Sequence, residues 1–335
     1  MARRAPLFVL GLFLFLPIDR RIAKCRVVLT AAAALMLAPM LHAAPRAMRM
    51  VTDEIGRRVE VPVDVRRVVS LAPNVTDILY SLGAGAKIAG VTDFAAIPPG
   101  NSPKPIVGEP LDPSLERIVA LKPDLVFASR TINREQTVES LEQLGIPVYV
   151  TDAHSVEGML HSVRRVADLI GMAPAGEQVV SRLQEQLNAL RAQLAGRPVK
   201  RVLFVVWEDP LITTGEHTFI ADALRWAGAR SAVKLQEGWP HLSLEEVVYL
   251  QPEYLIFPAT SSGAAGNIAQ ALRNRAGWRD LKAVREGHVV LVSDAINMPS
   301  PKLVGAIEQL ARKLHPAAFS NGEPSRTLSA GQDGR

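Results

Sequence analysis

The sequence predicts an α/β protein of two Rossmann-like lobes, with mostly parallel sheets, joined by a single long backbone α-helix. Three observations carry this. Short β-rich runs alternate with amphipathic segments through most of the 335 residues, the pattern of βα units that feed parallel strands. One stretch of the first half, Ser114-Leu115-Glu116-Arg117-Ile118-Val119-Ala120-Leu121-Lys122-Pro123-Asp124, returns in the second as Ser243-Leu244-Glu245-Glu246-Val247-Val248-Tyr249-Leu250-Gln251-Pro252-Glu253. Between the halves, Pro174 to Leu194 reads as one uninterrupted helix.

The elements follow in order. Residues 1–43 read as a secretory signal peptide: Arg20, Arg21, Lys24 and Arg26, then the apolar run Val27 to Met40, then Ala43 and Ala44, with cleavage expected after Ala43. A retained membrane anchor is the other reading. An earlier apolar run, Leu7 to Leu16, is too short to span a bilayer comfortably, and Lys24 before Cys25 argues against a lipid attachment site there. The segment carries a net +5, the entire formal charge of the chain, and leaves 32 basic and 32 acidic residues behind. The pI of 9.5 therefore does not point to nucleic acid or anionic membranes. The one cysteine leaves with it, which suits an oxidising compartment and excludes thiolate catalysis and disulfide scaffolding.

An N-terminal lobe is expected over 44–172, with strands near Arg67–Leu71, Lys87–Val91, Leu125–Ala128 and Val148–Thr151 and helices starting near Pro73, Pro113 and Asn133. The linking helix is expected over 173–197. Pro174 suits its first turn, Gly196 its stop, and Val179, Val180, Leu183, Leu187, Leu190 and Leu194 form its apolar stripe. At ~30 Å it is a stiff strut rather than a hinge, so the lobes are expected to close only slightly. A C-terminal lobe over 198–316 has strands near Arg201–Val206, Tyr254–Phe257 and Val289–Val292, and helices from Thr218, Ser243, Asn267 and Ser300. Residues 317–335, rich in Ser and Gly, are expected to be a disordered tail.

Ligands of open parallel sheets bind beyond the carboxyl ends of the strands. Those ends carry Pro73 and Asn74, Asp93 and Phe94, Trp207 to Pro210, and Asp294 to Met298, and a nearby loop adds Trp239 and Pro240. In a chain with 5% aromatic residues, Trp at such positions suits a large planar or ring-shaped ligand. Trp226 and Trp278 read as core residues, Trp207 fits cleft and core equally, and Trp239 leans to the cleft. Asp294 admits a plainer role as cap of the last helix. No nucleophile elbow, phosphate-binding loop or H-E-x-x-H stands in the sequence. Histidines 154, 161, 217, 241, 288 and 315 have no ligand-like spacing, and only His154 falls beside the expected cleft. An enzyme is therefore not expected. Glu116 and Glu245 sit at matching places in the repeat, each in a first helical turn, where the helix dipole alone favours an acid; the same pair could meet basic sockets on a two-fold symmetric partner.

Arg67-Val68-Val69-Ser70-Leu71-Ala72-Pro73-Asn74, Gly90-Val91-Thr92-Asp93-Phe94 with Pro98-Pro99, and the repeated L-E-x-[IV]-x-x-L-x-P-[DE] pattern resemble the helical-backbone (class III) periplasmic binding proteins of ABC importers, over residues 51–315. Within that class the chain is most similar to the cobalamin-binding proteins. The resemblance implies a small-molecule metal chelate held between the lobes, a cobalt corrinoid or alternatively a ferric siderophore or haem, with no resident cofactor or metal. It implies delivery by a periplasmic monomer to an ABC permease dimer with its cytoplasmic ATPases. Phe94, Trp207, Trp239, Pro240 and Asp294 match ligand-lining positions, and Glu116 and Glu245 match the lobe-tip glutamates that dock on the permease. Pro110 stands where the cobalamin binders place a Trp and Met298 where they place an Arg, so the ligand is less constrained than the class.

Overall fold

The computed structural model describes residues 46–233, 238–259 and 268–320. The expected signal peptide, residue 267 and all but the first few residues of the expected tail lie outside them. The described residues open on an antiparallel hairpin, β1 (Met48–Thr52) and β2 (Arg58–Pro62), turned at Gly56 with φ 85°, a left-handed conformation glycine adopts without penalty.

The first lobe is a four-stranded parallel sheet in the order β4-β3-β5-β6, made of β3 (Val68–Ser70), β4 (Ile88–Val91), β5 (Leu125–Ser129) and β6 (Val148–Thr151). Every residue of β3, β5 and β6 is buried, as expected of parallel strands covered on both faces. Helices α1 (Pro73–Ser81), α2 (Leu115–Ala120), α3 (Glu135–Gln143) and α4 (Val156–Leu169) connect and follow them.

The 22-residue helix α5 (Ala173–Leu194) leads to the second lobe. Its buried positions are Gly176, Val179, Val180, Leu183, Leu187 and Leu190, and each aliphatic one contributes ~1.5–3 kcal/mol on burial. They join a core that runs from Val68 and Phe127 in the first lobe to Phe204 and Leu310 in the second, so the strut is embedded rather than bare. Gly176 lets α5 approach α4: a Cβ there would stand 2.5 Å from Ala167 Cβ. Gly176→Ala is therefore expected to destabilise the fold by ~1–3 kcal/mol through overpacking, read as a lowered denaturation midpoint.

The second lobe is built on β7 (Lys200–Glu208), β8 (Leu211–Thr213), β9 (Ala229–Ser231), β10 (Tyr254–Pro258) and β11 (Val289–Val292). Its order is β11-β10-β7-β8, with β9 also on β7; only β8 runs antiparallel. The helices are α6 (Phe219–Trp226), α7 (Leu244–Leu250), α8 (Ile268–Asn274), α9 (Lys282–Arg285), α10 (Lys302–Leu314) and α11 (Pro316–Phe319).

The internal repeat has a structural purpose that extends to single torsions. Lys122 and Gln251, at matching positions, are both left-handed, with φ 46° and 41°. The acid two residues later fastens the start of a sheet strand. Asp124 accepts from Arg66 N (2.7 Å) and Arg67 N (2.8 Å), and Glu253 accepts from Arg201 N (3.0 Å). In return the Arg67 and Arg201 guanidinium groups donate to Leu121 O (2.8 Å) and Leu250 O (2.7 Å) at the helix ends.

Three expectations need correction. Residues 316–319 form helix α11, with Arg312 over the Phe319 ring at 4.6 Å, so ordered structure continues past Ala317. Trp226 packs against the margin of the core rather than inside it, half-buried with the Arg191 guanidinium 4.4 Å from its ring; Trp278 is core, 3% exposed. Asp294 does not cap the last helix. It begins a separate 3-10 turn, Asp294–Asn297, capped by Ser293, because Pro299 and Pro301 disfavour helical torsions in the residues before them and delay α10 to Lys302.

At the end of α10, His315 is 6% exposed with Nε2 3.1 Å from Gly228 O. Burial pushes its imidazole below the ordinary value of 6.5, while the Gly228 bond opposes the shift. As pH falls through 6.5, the unfolded chain takes up a proton that native His315 refuses, so this group's stability is full above that value and is lost below it. His315→Gln, which keeps a donor for Gly228 O, is expected to flatten the fall in melting temperature between about pH 7 and pH 5.

Candidate functional site

The residues expected to line a cleft lie at the carboxyl ends of the parallel strands. Phe94 follows β4. It has φ 65°, a strained conformation for a bulky residue, and its ring is 83% exposed. The chain just before it is fixed by two backbone bonds: Asp93 N donates to Gly108 O (2.9 Å) and Thr92 N to Ser70 O (3.3 Å). Strain and a fully presented aromatic ring at one position are unfavourable for the free fold, and such outliers cluster at functional sites.

Trp207 and Trp239 hang from the other lobe, on either side of β8. Trp207 pairs with Ile212 of β8, and Ile212 bridges His241 on the far side. With strands ~4.8 Å apart, this brings the Trp207 strand and the Trp239–Pro240 loop to one sheet edge. Trp207 is 59% exposed, which decides against the core reading, and its indole Nε1 donates to Asp209 O at 2.8 Å. Trp239 is 45% exposed and stands edge-to-face on Phe219 at 6.4 Å. Its loop is laced to β8 by Thr213 N to Pro240 O (3.1 Å) and Gly215 N to Gly238 O (2.9 Å). Asp294, half-buried, follows β11 at the opposite end of the same sheet.

Sequence reasoning did not single out Asn133, which braces the rim of the first lobe. Its Oδ1 accepts from Ser129 N (2.8 Å) and its Nδ2 donates to Leu71 O (2.9 Å) and Pro110 O (2.8 Å). In the sequence Asn133 marks only the start of a helix, and two of its partners are far away in the chain. Two cations near the strand ends are paired with acids. Arg130 lies 3.5 Å from Asp152 and Arg275 3.1 Å from Glu208. His154 spends its ring on Asp152 at 3.0 Å, and no metal-binding group of three His, Cys, Asp or Glu occurs among the described residues. Two concavities of about 580 and 560 Å³, at the outer edge of the first sheet and beside the end of α5, include none of Phe94, Trp207 and Trp239 in their linings. Phe94, Trp207 and Trp239 are each exposed, a surface fitted for contact.

Glu116 and Glu245 occupy the second position of α2 and α7, after the N-caps Ser114 and Ser243. Both are exposed. In α7 the capping box engages Glu246, whose carboxylate accepts from Ser243 N at 2.6 Å; that bond holds its carboxyl below the usual range. Glu245 is left to point into solvent. One turn further on, Tyr249 is 88% exposed.

Two α/β lobes on one embedded helix, presenting aromatic faces at their strand ends, define a solute-binding protein. The chain belongs to the periplasmic binding protein family, whose model matches residues 68–295. It is 29% identical to an uncharacterized ABC transporter substrate-binding lipoprotein of Bacillus subtilis, over 80% of this chain and 86% of the relative. It is 30% identical to the vitamin B12-binding protein of Vibrio parahaemolyticus, over 72% and 87%. The crystal structure of the periplasmic vitamin B12 binding protein of Vibrio cholerae superposes with a TM-score of 0.67 at 25% identity, covering 77% of this chain and all of that one. These are solute-binding proteins, in agreement with the absence of catalytic motifs from the sequence. A member of this family works outside the cytoplasm with a permease and its ATPase.

Proposed function

We propose that the chain binds cobalamin or a related corrinoid between its lobes and delivers it to an ABC importer. Phe94, Trp207, Trp239 and Pro240 form the contact face, Asp294 is a polar contact, and Glu116 and Glu245 dock on the permease. The observation that carries the reading is the set of three presented aromatic rings, beside which two strand-end cations, Arg130 and Arg275, already face Asp152 and Glu208. Flat apolar rings suit a large macrocycle, whereas a highly anionic siderophore would call for unpaired basic groups. In this reading residues 1–43 are removed on export and the mature protein acts as a monomer.

Calorimetric titration of the purified protein with cyanocobalamin, haem and ferric siderophores tests this directly. Stoichiometric binding of cyanocobalamin with submicromolar Kd, about −8 kcal/mol or stronger, is expected. Tight binding of haem or a siderophore with none of the corrinoid would move the assignment within the family.

A further inference from the structure

Two carboxylates, Asp77 buried and Asp222 half-buried, join the lobes in a reciprocal arrangement. Asp77, in α1 of the first lobe, is 3% exposed. Its Oδ2 accepts from Ser300 Oγ at 3.2 Å and its Oδ1 meets Lys302 Nζ at 2.5 Å, both at the start of α10 in the second lobe. Asp222, in α6 of the second lobe, accepts with Oδ2 from Val156 N at 2.7 Å, the first residue of α4 in the first lobe. Helices α1 and α6 are each the first helix of their lobe, and α4 and α10 are each the last long one. Each lobe's first helix therefore extends an acid to the amino-terminal end of the other lobe's last helix, where both the exposed amides and the helix dipole favour negative charge.

From this we infer that Asp77 and Asp222 are positioning residues: a pair of clasps, related by the internal pseudo-symmetry, that fix the angle between the lobes. Opening either joint would strand a buried acid or amide. The clasps and the embedded α5 thus set the cleft in advance of the ligand. Pre-organisation of this kind raises affinity without contact. The consequence for affinity rests on the reading that the ligand lies between the lobes. The joints differ: Asp77 meets a side-chain cation, whereas Asp222 meets a backbone amide and keeps Arg225 on its other oxygen at 2.9 Å.

The test uses the full chain with Cys25, its one cysteine, changed to Ser. Spin labels are placed on Glu139→Cys and Arg285→Cys, exposed positions in opposite lobes. Pulsed dipolar distance distributions are compared for the parent, Asp77→Ala, Asp222→Ala and the double variant, without ligand. A distribution about twice as broad in the double variant is expected as the lobe angle becomes an ensemble; an unchanged width in the folded double variant overturns the inference. Lys302→Ala opens the Asp77 joint from its solvent side and decides the matter should Asp77→Ala not fold. In a second arm the variants bind cyanocobalamin about tenfold more weakly, as the competent fraction drops to about a tenth. A broadened distribution with an unaltered Kd overturns the positioning role. Failure of the parent to bind cyanocobalamin counts against the proposed function alone, and the distance arm still decides the clasps.

Discussion

Trp239→Ala is expected to weaken cyanocobalamin binding by about 30-fold, ~2 kcal/mol, while leaving the fold intact. The indole is 45% exposed and meets Phe219 edge-to-face. Its loop is held by backbone bonds to Thr213 and Gly215 that the substitution spares. Truncation therefore removes a contact face rather than a structural wedge. Trp278→Ala supplies the contrast. Trp278 is 3% exposed against Phe257 at 6.4 Å, and its loss is expected to lower stability by ~3–5 kcal/mol. Calorimetric Kd and melting temperature, measured on both variants, separate the roles. A Trp239→Ala protein that melts as early as Trp278→Ala and binds with the parent's Kd would remove Trp239 from the site.

The double variant Glu116→Ala with Glu245→Ala is expected to bind ligand like the parent and to deliver it at least about tenfold more slowly to its permease in proteoliposomes. Each carboxylate is exposed at the start of a helix, and exposed complementary charges govern orientation and encounter more than affinity. Removing acids from two first turns also weakens the helices, by ~0.3–1 kcal/mol each. Glu246→Ala controls for this, because it breaks the capping box of α7 and leaves Glu245 in place. If the control loses delivery as fully as the double variant, the helix dipole explains both glutamates and docking does not.

Much of the architecture is legible in the chain. Strands β6 and β11 match the expected spans residue for residue, because each is a β-branched run bounded by residues that stop it. The linking helix starts at the expected residue 173 and ends at Leu194, three residues short of 197, since proline, the apolar stripe and Gly196 are all local signals. The opening hairpin escaped notice although Met48–Thr52 and Arg58–Pro62 alternate as strands should. Strands β8 and β9 have three residues each, too few to carry a period. That shortness matters for the site, because β8 is the strand that brings Trp207 and Trp239 to one edge.

The sequence by itself determined the two-lobed plan, the repeat, the strut and the neutral balance of charge beyond residue 43. All of these are written in neighbours along the chain, at helical or strand spacing. Only the tertiary structure decided that Trp207 is presented while Trp278 is buried. It also showed that Asp124 and Glu253 fasten strands, and that Asp77 and Asp222 tie one lobe to the other. Those outcomes depend on partners tens to more than two hundred residues away. Side-chain environment is set by what folding brings alongside, and no local pattern records it.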